Sequence, residues 1–256
     1  LGKDIKPTYT ASMNQQTSAK DIFGTAISAY YHEKDTTDIQ VHSPDFDDDV
    51  IPVTYLFRNY SEMPPLEQKA LQLATGRILD VGCGAGSHSL YLQEEKKLEV
   101  TAIDTSNGAI EISRLRGIKN AQNIDFFNLK DEKFDTILML MNGSGIIGKL
   151  KNLDKFFKKT RELLNPGGRL LLDSSDLSYL FDRGEDGGIW VDSEAAYYGE
   201  LEFKVSYKGE SSAYFDWLYI DFQTLKFAAE TNNFSCKRIK EGEHYDYLAE
   251  LQALKQ

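Results

Sequence analysis

The chain has 256 residues, with 40 acidic against 29 basic side chains and a formal charge of −11. That length suits one large domain, or a domain with a cap, and buries a sizeable core without staples; two distant cysteines, Cys83 and Cys236, make no disulfide framework. The acid excess, without any Lys/Arg-rich run, disfavours a nucleic-acid partner, and no window approaches the roughly 18 apolar residues of a membrane span.

In chain order, residues 1–62 come first and contain Tyr30, Tyr31, His32, Tyr55, Phe57, Arg58 and Tyr60, a density of aromatics that points to a cap over a pocket. From Arg77 the chain alternates short β-type runs with helical patterns, which predicts a parallel sheet covered by helices on both faces. Strands are expected at Arg77 to Val81, Glu99 to Ile103, Asn123 to Phe127, Phe134 to Leu140 and Arg169 to Asp173. Helices are expected at Ser87 to Glu95, at Asn107 to Arg116 behind a Thr105-Ser106 cap, and at Leu150 to Leu164. Between 177 and 220, Leu201, Phe203, Val205 and Tyr207 alternate with polar residues, Lys208 to Ser212 turns and Ala213 to Ile220 returns, the pattern of an inserted hairpin. The hairpin fits an acceptor pocket or an oligomer contact. The tail adds a helix over Phe222 to Asn232 and an antiparallel pair, Ser235 to Gly242 and Tyr245 to Ala253. The acidic runs Asp45 to Asp49 and Asp182 to Gly188 lack the twelve-residue spacing of a calcium loop and read as solvated loops. No metal site is expected.

The turn after the first of these core strands carries the chemistry. Asp80-x-Gly82-x-Gly84-x-Gly86 follows an apolar strand, and Asp104 closes the next one. Glycine supplies backbone angles that a Cβ atom obstructs and lets a ligand lie against bare backbone. The dinucleotide pattern Gly-x-Gly-x-x-Gly places its third glycine one residue later, where this chain has Ser87. A carboxylate such as Asp80 also fits poorly beside a pyrophosphate, and suits a ligand with a cationic end. An acid at Asp104 suits the two hydroxyls of a ribose.

This fingerprint resembles that of class I S-adenosylmethionine-dependent methyltransferases. Leu164-Asn-Pro-Gly-Gly168 before a strand and Phe134-Asp135-Thr-Ile-Leu-Met-Leu140 are similar to the later elements of that family. The resemblance implies an α/β, Rossmann-like doubly wound fold, with a seven-stranded, mostly parallel sheet whose last strand is antiparallel. To that fold the chain adds an N-terminal cap (1–62) on a core (63–256) that carries the hairpin insertion (about 177–220). It implies S-adenosylmethionine as cofactor, with Gly82, Cys83 and Gly84 against the methionine part, Gly86 in the same cofactor-binding turn, Asp80 holding the turn and favouring the ammonium, and Asp104 on the ribose. Thr105, Asn128 and Leu129 would border the adenine, and Met141 and Asn142 the departing methyl group. Tyr30, Tyr55 and Arg58 are candidates for the acceptor side.

Methyl transfer from sulfur is an in-line displacement with a neutral leaving group, so alignment supplies much of the rate and a general base is optional. His32, His42, His88 and Tyr55 are the candidate bases, His88 being more readily a packing or capping residue, and no catalytic residue is assigned. The expected protein is a soluble, cytoplasmic methyltransferase for a small-molecule acceptor at O, N or C, with a homodimer open. Two other readings remain: a noncatalytic cofactor-binding interaction module, and an aminopropyltransferase on the same fold.

Overall fold

The computed structural model describes residues 20–181 and 197–255. The N-terminal part contains helix α1 (Ile22–Glu33), strands β1 (Ile39–His42) and β2 (Asp49–Ile51), and helix α2 (Pro65–Leu73). The core then runs β3 (Arg77–Val81), α3 (Ser87–Glu94), β4 (Glu99–Asp104), α4 (Asn107–Leu115), β5 (Ala121–Asn123), β6 (Phe134–Met139), α5 (Leu153–Leu163) and β7 (Leu164–Ser175). After β7 come β8 (Glu200–Tyr207), β9 (Glu210–Ser211), β10 (Phe215–Leu218), α6 (Phe222–Thr231), β11 (Phe234–Glu241) and β12 (Asp246–Ala253).

The large sheet has the order β11-β12-β7-β6-β3-β4-β5. β3 pairs in parallel with β4 and β6, and β6 with β7, while β12 enters antiparallel between β7 and β11. This is the expected seven-stranded, mostly parallel sheet with its last strand reversed. Strands covered on both faces have no need to alternate, and β3 is buried from Ile78 through Val81. Helix α5 and the facing strands bring Phe134, Phe156, Phe157 and Phe234 into one fully buried cluster.

Three boundaries differ from the pattern reading. The third core strand is Ala121–Asn123 instead of 123–127, because Asp125 caps a 3-10 turn over Phe126–Asn128 through the Phe127 N–H. Helix α5 starts at Leu153, after a separate 3-10 turn at Leu150–Asn152. Leu164 to Gly168 does not precede β7 as a free turn; it is an irregular stretch of the strand itself, since Phe134 pairs with Leu164 and Thr136 with Arg169.

The larger correction concerns the N-terminal part, where periodicity shows no strand. β1 and β2 form an antiparallel sheet with the inserted hairpin, in the order β10-β8-β1-β2 with β9 beside β8. The hairpin itself is as expected, β8 pairing with β10 from Phe203↔Phe215 to Glu200↔Leu218. The acidic run at Asp45 ends in β2, and the run at Asp182 lies outside the described residues. Two distant stretches therefore build one second sheet.

Candidate active site

Strand order reverses between β3 and β6, so the carboxyl ends of these strands define the crevice where open α/β sheets hold ligands. Three glycines leave β3 there with left-handed backbone, Gly82 at φ 73°, Gly84 at 53° and Gly86 at 84°. They do different work. A Cβ at Gly86 would lie 2.2 Å from Ile118 Cδ1, so this glycine lets α3 pack onto the segment after α4. A Cβ at Gly84 would meet nothing within 4 Å, which leaves bare backbone open to a ligand.

Asp104 ends β4 against this turn. The Gly84 N–H donates to its Oδ2 at 2.9 Å and the Ser106 N–H to its Oδ1 at 2.8 Å. Burial raises its carboxyl above the usual range, against these two donors that lower it. Each oxygen keeps a further lone pair for a hydroxyl donor. Asp80 is 1% exposed inside β3 and accepts from Ser89 Oγ at 2.6 Å, which ties the strand to α3. Cys83 is buried, its thiol pushed well up by burial and then by Asp104 and Asp80. Thr105 and Asn128 are exposed beside this edge, and Leu129 is buried.

Past β6, Met141 and Asn142 both adopt left-handed angles, φ 66° and 55°. Asp173, near the end of β7, accepts the Gly143 N–H at 2.8 Å and the Met141 N–H at 3.1 Å, while Ser175 Oγ donates to Asn142 Oδ1 at 2.8 Å. Burial and the nearby charge of Glu67 raise the Asp173 carboxyl to about 6, against the loop amides that lower it. The hairpin leans on the same loop. The Trp217 indole covers Gly145, and Ser144 Oγ donates to the Leu218 carbonyl at 2.7 Å.

The cap is joined to the cofactor turn by buried charge. Arg58 Nη2 donates to Glu67 Oε2, which also bonds His88 Nε2 at 2.7 Å, and Arg58 Nη1 donates to the Tyr55 carbonyl at 2.7 Å. The guanidinium stacks 4.0 Å from the Tyr55 ring centroid, and its Nε has no partner among the described residues. Burial pushes Glu67 up, but His88 and Arg58 outweigh it and hold the carboxyl below its ordinary range. Ser87 Oγ, in the first turn of α3, donates to the Leu56 carbonyl at 2.8 Å.

Of the acceptor-side candidates, Tyr55 and Arg58 come together, whereas Tyr30 packs against Phe57 with ring centroids 4.6 Å apart. The candidate bases separate as well. His88 is a buried partner of Glu67; His32 is exposed in the last turn of α1; His42 lies in the second sheet, between Asp48 and Ser206 at 2.8 Å each. Sequence reasoning missed Glu67, for which no local signal exists, and treated Asp173 only as a strand end. Among the described residues, no cluster of three or more His, Cys, Asp or Glu side chains suits a metal ion, and no helix is long and apolar enough to cross a membrane.

A methyltransferase-domain family model matches residues 54–225, more than half of the chain. A solved S-adenosylmethionine-dependent methyltransferase from Bacteroides fragilis, in complex with S-adenosyl-L-homocysteine, is 51% identical with a TM-score of 0.85, over 92% of this chain and 96% of that one. A methyltransferase structure from Clostridium acetobutylicum, 16% identical with a TM-score of 0.55 over 79% of this chain and 95% of that one, shares the fold. Among curated proteins, a ubiquinone biosynthesis O-methyltransferase from Chelativorans is 31% identical over 105 residues, 38% of this chain and 39% of that protein. The chain spans about two fifths of the length of the curated relatives it matches. The glycine turn, the reversed last strand and these matches agree: the chain belongs to the class I S-adenosylmethionine-dependent methyltransferases.

Proposed function

We propose that the protein transfers a methyl group from S-adenosylmethionine to a small-molecule acceptor. One observation carries this reading: Gly84, with open space where a side chain would stand, is hydrogen-bonded to Asp104 at the carboxyl ends of β3 and β4, beside the strand-order reversal. The residues fit the cofactor. Gly82, Cys83 and Gly84 would line its methionine part while Gly86 packs the turn against Ile118, Asp104 would line the ribose, Thr105, Asn128 and Leu129 the adenine, and Met141 and Asn142 the methyl end. Asp80 holds the turn through Ser89. When bound, the cofactor supplies an electrophilic methyl on a positively charged sulfur.

The rest of the work falls to positioning. The cap around Tyr55 and Arg58, and the hairpin of β8 and β10, would shape the acceptor space beside the loop after β6. Burial, and then the charge of Glu67, raise the Tyr55 phenol above its ordinary value, so it serves as a hydrogen-bond donor and not as a base. A neutral leaving group makes that sufficient for an acceptor that arrives unprotonated. The two cysteines, both buried and free, fit a cytoplasmic setting.

Calorimetric titration with S-adenosylmethionine and S-adenosylhomocysteine, with NAD as control, tests the reading. Micromolar binding of the sulfur pair, lost by more than tenfold in Asp104→Ala, is expected. Binding of NAD instead, or of nothing, would withdraw it.

A further inference from the structure

We propose that Asp173 is a positioning residue of the methyl-transfer end: it locks the Met141–Gly143 backbone, and its carboxylate makes the site favour the cationic sulfonium donor over the neutral thioether product. The inference rests on the cofactor reading above.

Neighbouring strands lie about 4.8 Å apart. In the sheet order β7-β6-β3-β4, the loop that leaves β6, which would border the methyl end, lies beside the end of β7. Asp173 stands there, 7% exposed, holding the loop that leaves β6. That loop has little slack. It carries two consecutive non-glycine residues in left-handed backbone, and a Cβ at Gly143 would lie 2.7 Å from Met139 Cβ. Such backbone persists only where its surroundings over-determine it, and it clusters at ligand sites. Here the determinants are the two amides bonded to Asp173 and the Ser175 tether on Asn142.

The charge makes the second half of the argument. Glu67 is buried too, but it is paired with the Arg58 guanidinium and hydrogen-bonded to His88. Among the described residues no lysine, arginine or histidine lies within ion-pair distance of Asp173. A buried carboxylate without a cation is costly, and a sulfonium bound beside this loop would relieve that cost where a thioether would not. The other charged and titratable groups acting on this space are Glu67 of α2 with its partners Arg58 and His88, Tyr55 of the cap and Tyr219 after β10. Glu67 is held low, and burial holds both phenols high, Tyr219 at about 12, so the carboxylate and the two phenols keep their charge between pH 5.5 and 7.5. Asp173 does not.

The test measures dissociation constants of S-adenosylmethionine and S-adenosylhomocysteine for the full chain at pH 7.5, in wild type, Asp173→Asn and Asp173→Glu. The two ligands share every group except the methyl and the sulfur charge, so their ratio isolates the effect. Asp173→Asn is expected to shift the ratio about tenfold against the sulfonium, and Asp173→Glu to keep most of the preference. Wild type at pH 5.5 moves toward the Asn value, while Asp173→Asn shows no such movement between pH 7.5 and 5.5. A ratio that stays within twofold, in the variant and across pH, or an equal loss for both ligands, overturns the proposal. Failure of wild type to bind either ligand overturns the cofactor reading instead.

Discussion

Gly84 and Gly86 stand two residues apart and share a left-handed backbone, yet they answer to different demands. Gly86→Ala forces a methyl against Ile118 at a strained φ, and a loss of roughly 2 to 4 kcal/mol in unfolding free energy is expected by denaturant titration. Gly84→Ala places its methyl in open space, so stability should fall by only about 1 kcal/mol while cofactor affinity drops more than tenfold. Glu67 is a third case. Replacing it by Gln leaves a buried arginine charge without its partner, a loss of about 3 to 5 kcal/mol, checked by thermal unfolding. The motif glycines and Asp104 were legible because turn chemistry is local. Glu67 was not, since nothing in Pro65–Leu73 announces a partner 21 residues further on.

At the scale of elements, α1 and α4 meet through one carboxylate. Asp21 accepts the Gly24 N–H at 2.8 Å as the cap of α1, and through its other oxygen the Gly108 N–H and Ser106 Oγ, both at 3.0 Å, at the start of α4. Gly108 and Gly24 pack closely enough that a Cβ on Gly108 would lie 2.7 Å from Gly24 Cα. The cap is thereby pinned to the loop following Asp104. Asp21→Ala should cost about 2 kcal/mol, twice the effect of one ordinary cap, and raise amide exchange across residues 22–33. Equal exchange in variant and wild type would show that packing alone holds α1. From sequence, the Ser106 cap of α4 was visible; the second capping residue, 85 positions upstream, was not.

For the whole molecule, two buried carboxylates tilt the pH dependence of stability in opposite directions. Glu67, held low in the folded state, stabilises above the ordinary carboxylate range, and that contribution is lost as pH falls through its lowered value. Asp173, raised from 3.8 to about 6, binds its proton more tightly folded than unfolded, so its cost develops as pH rises through that window, reaching on the order of 3 kcal/mol at neutral pH. The difference in melting temperature between Asp173→Asn and wild type should therefore move in the variant's favour from pH 4 to 6.5 and then level off. A difference constant with pH would mean that the loop amides offset burial fully. Stability yielded to a charged, strained loop is the usual compromise at a working site.

The sequence alone determined what short-range physics controls: the glycine turn, the acid within β3 and the one closing β4, the periodicity of the core helices, the hairpin, and through them the family. Only the tertiary structure decided which distant stretches meet. β1 and β2 of the N-terminal part join β8 of the insertion in one sheet, Arg58 finds Glu67 and His88, and Asp173 reaches back to hold the loop after β6. Strand pairing and burial of charge are set by partners far along the chain, so neither leaves a local period to read.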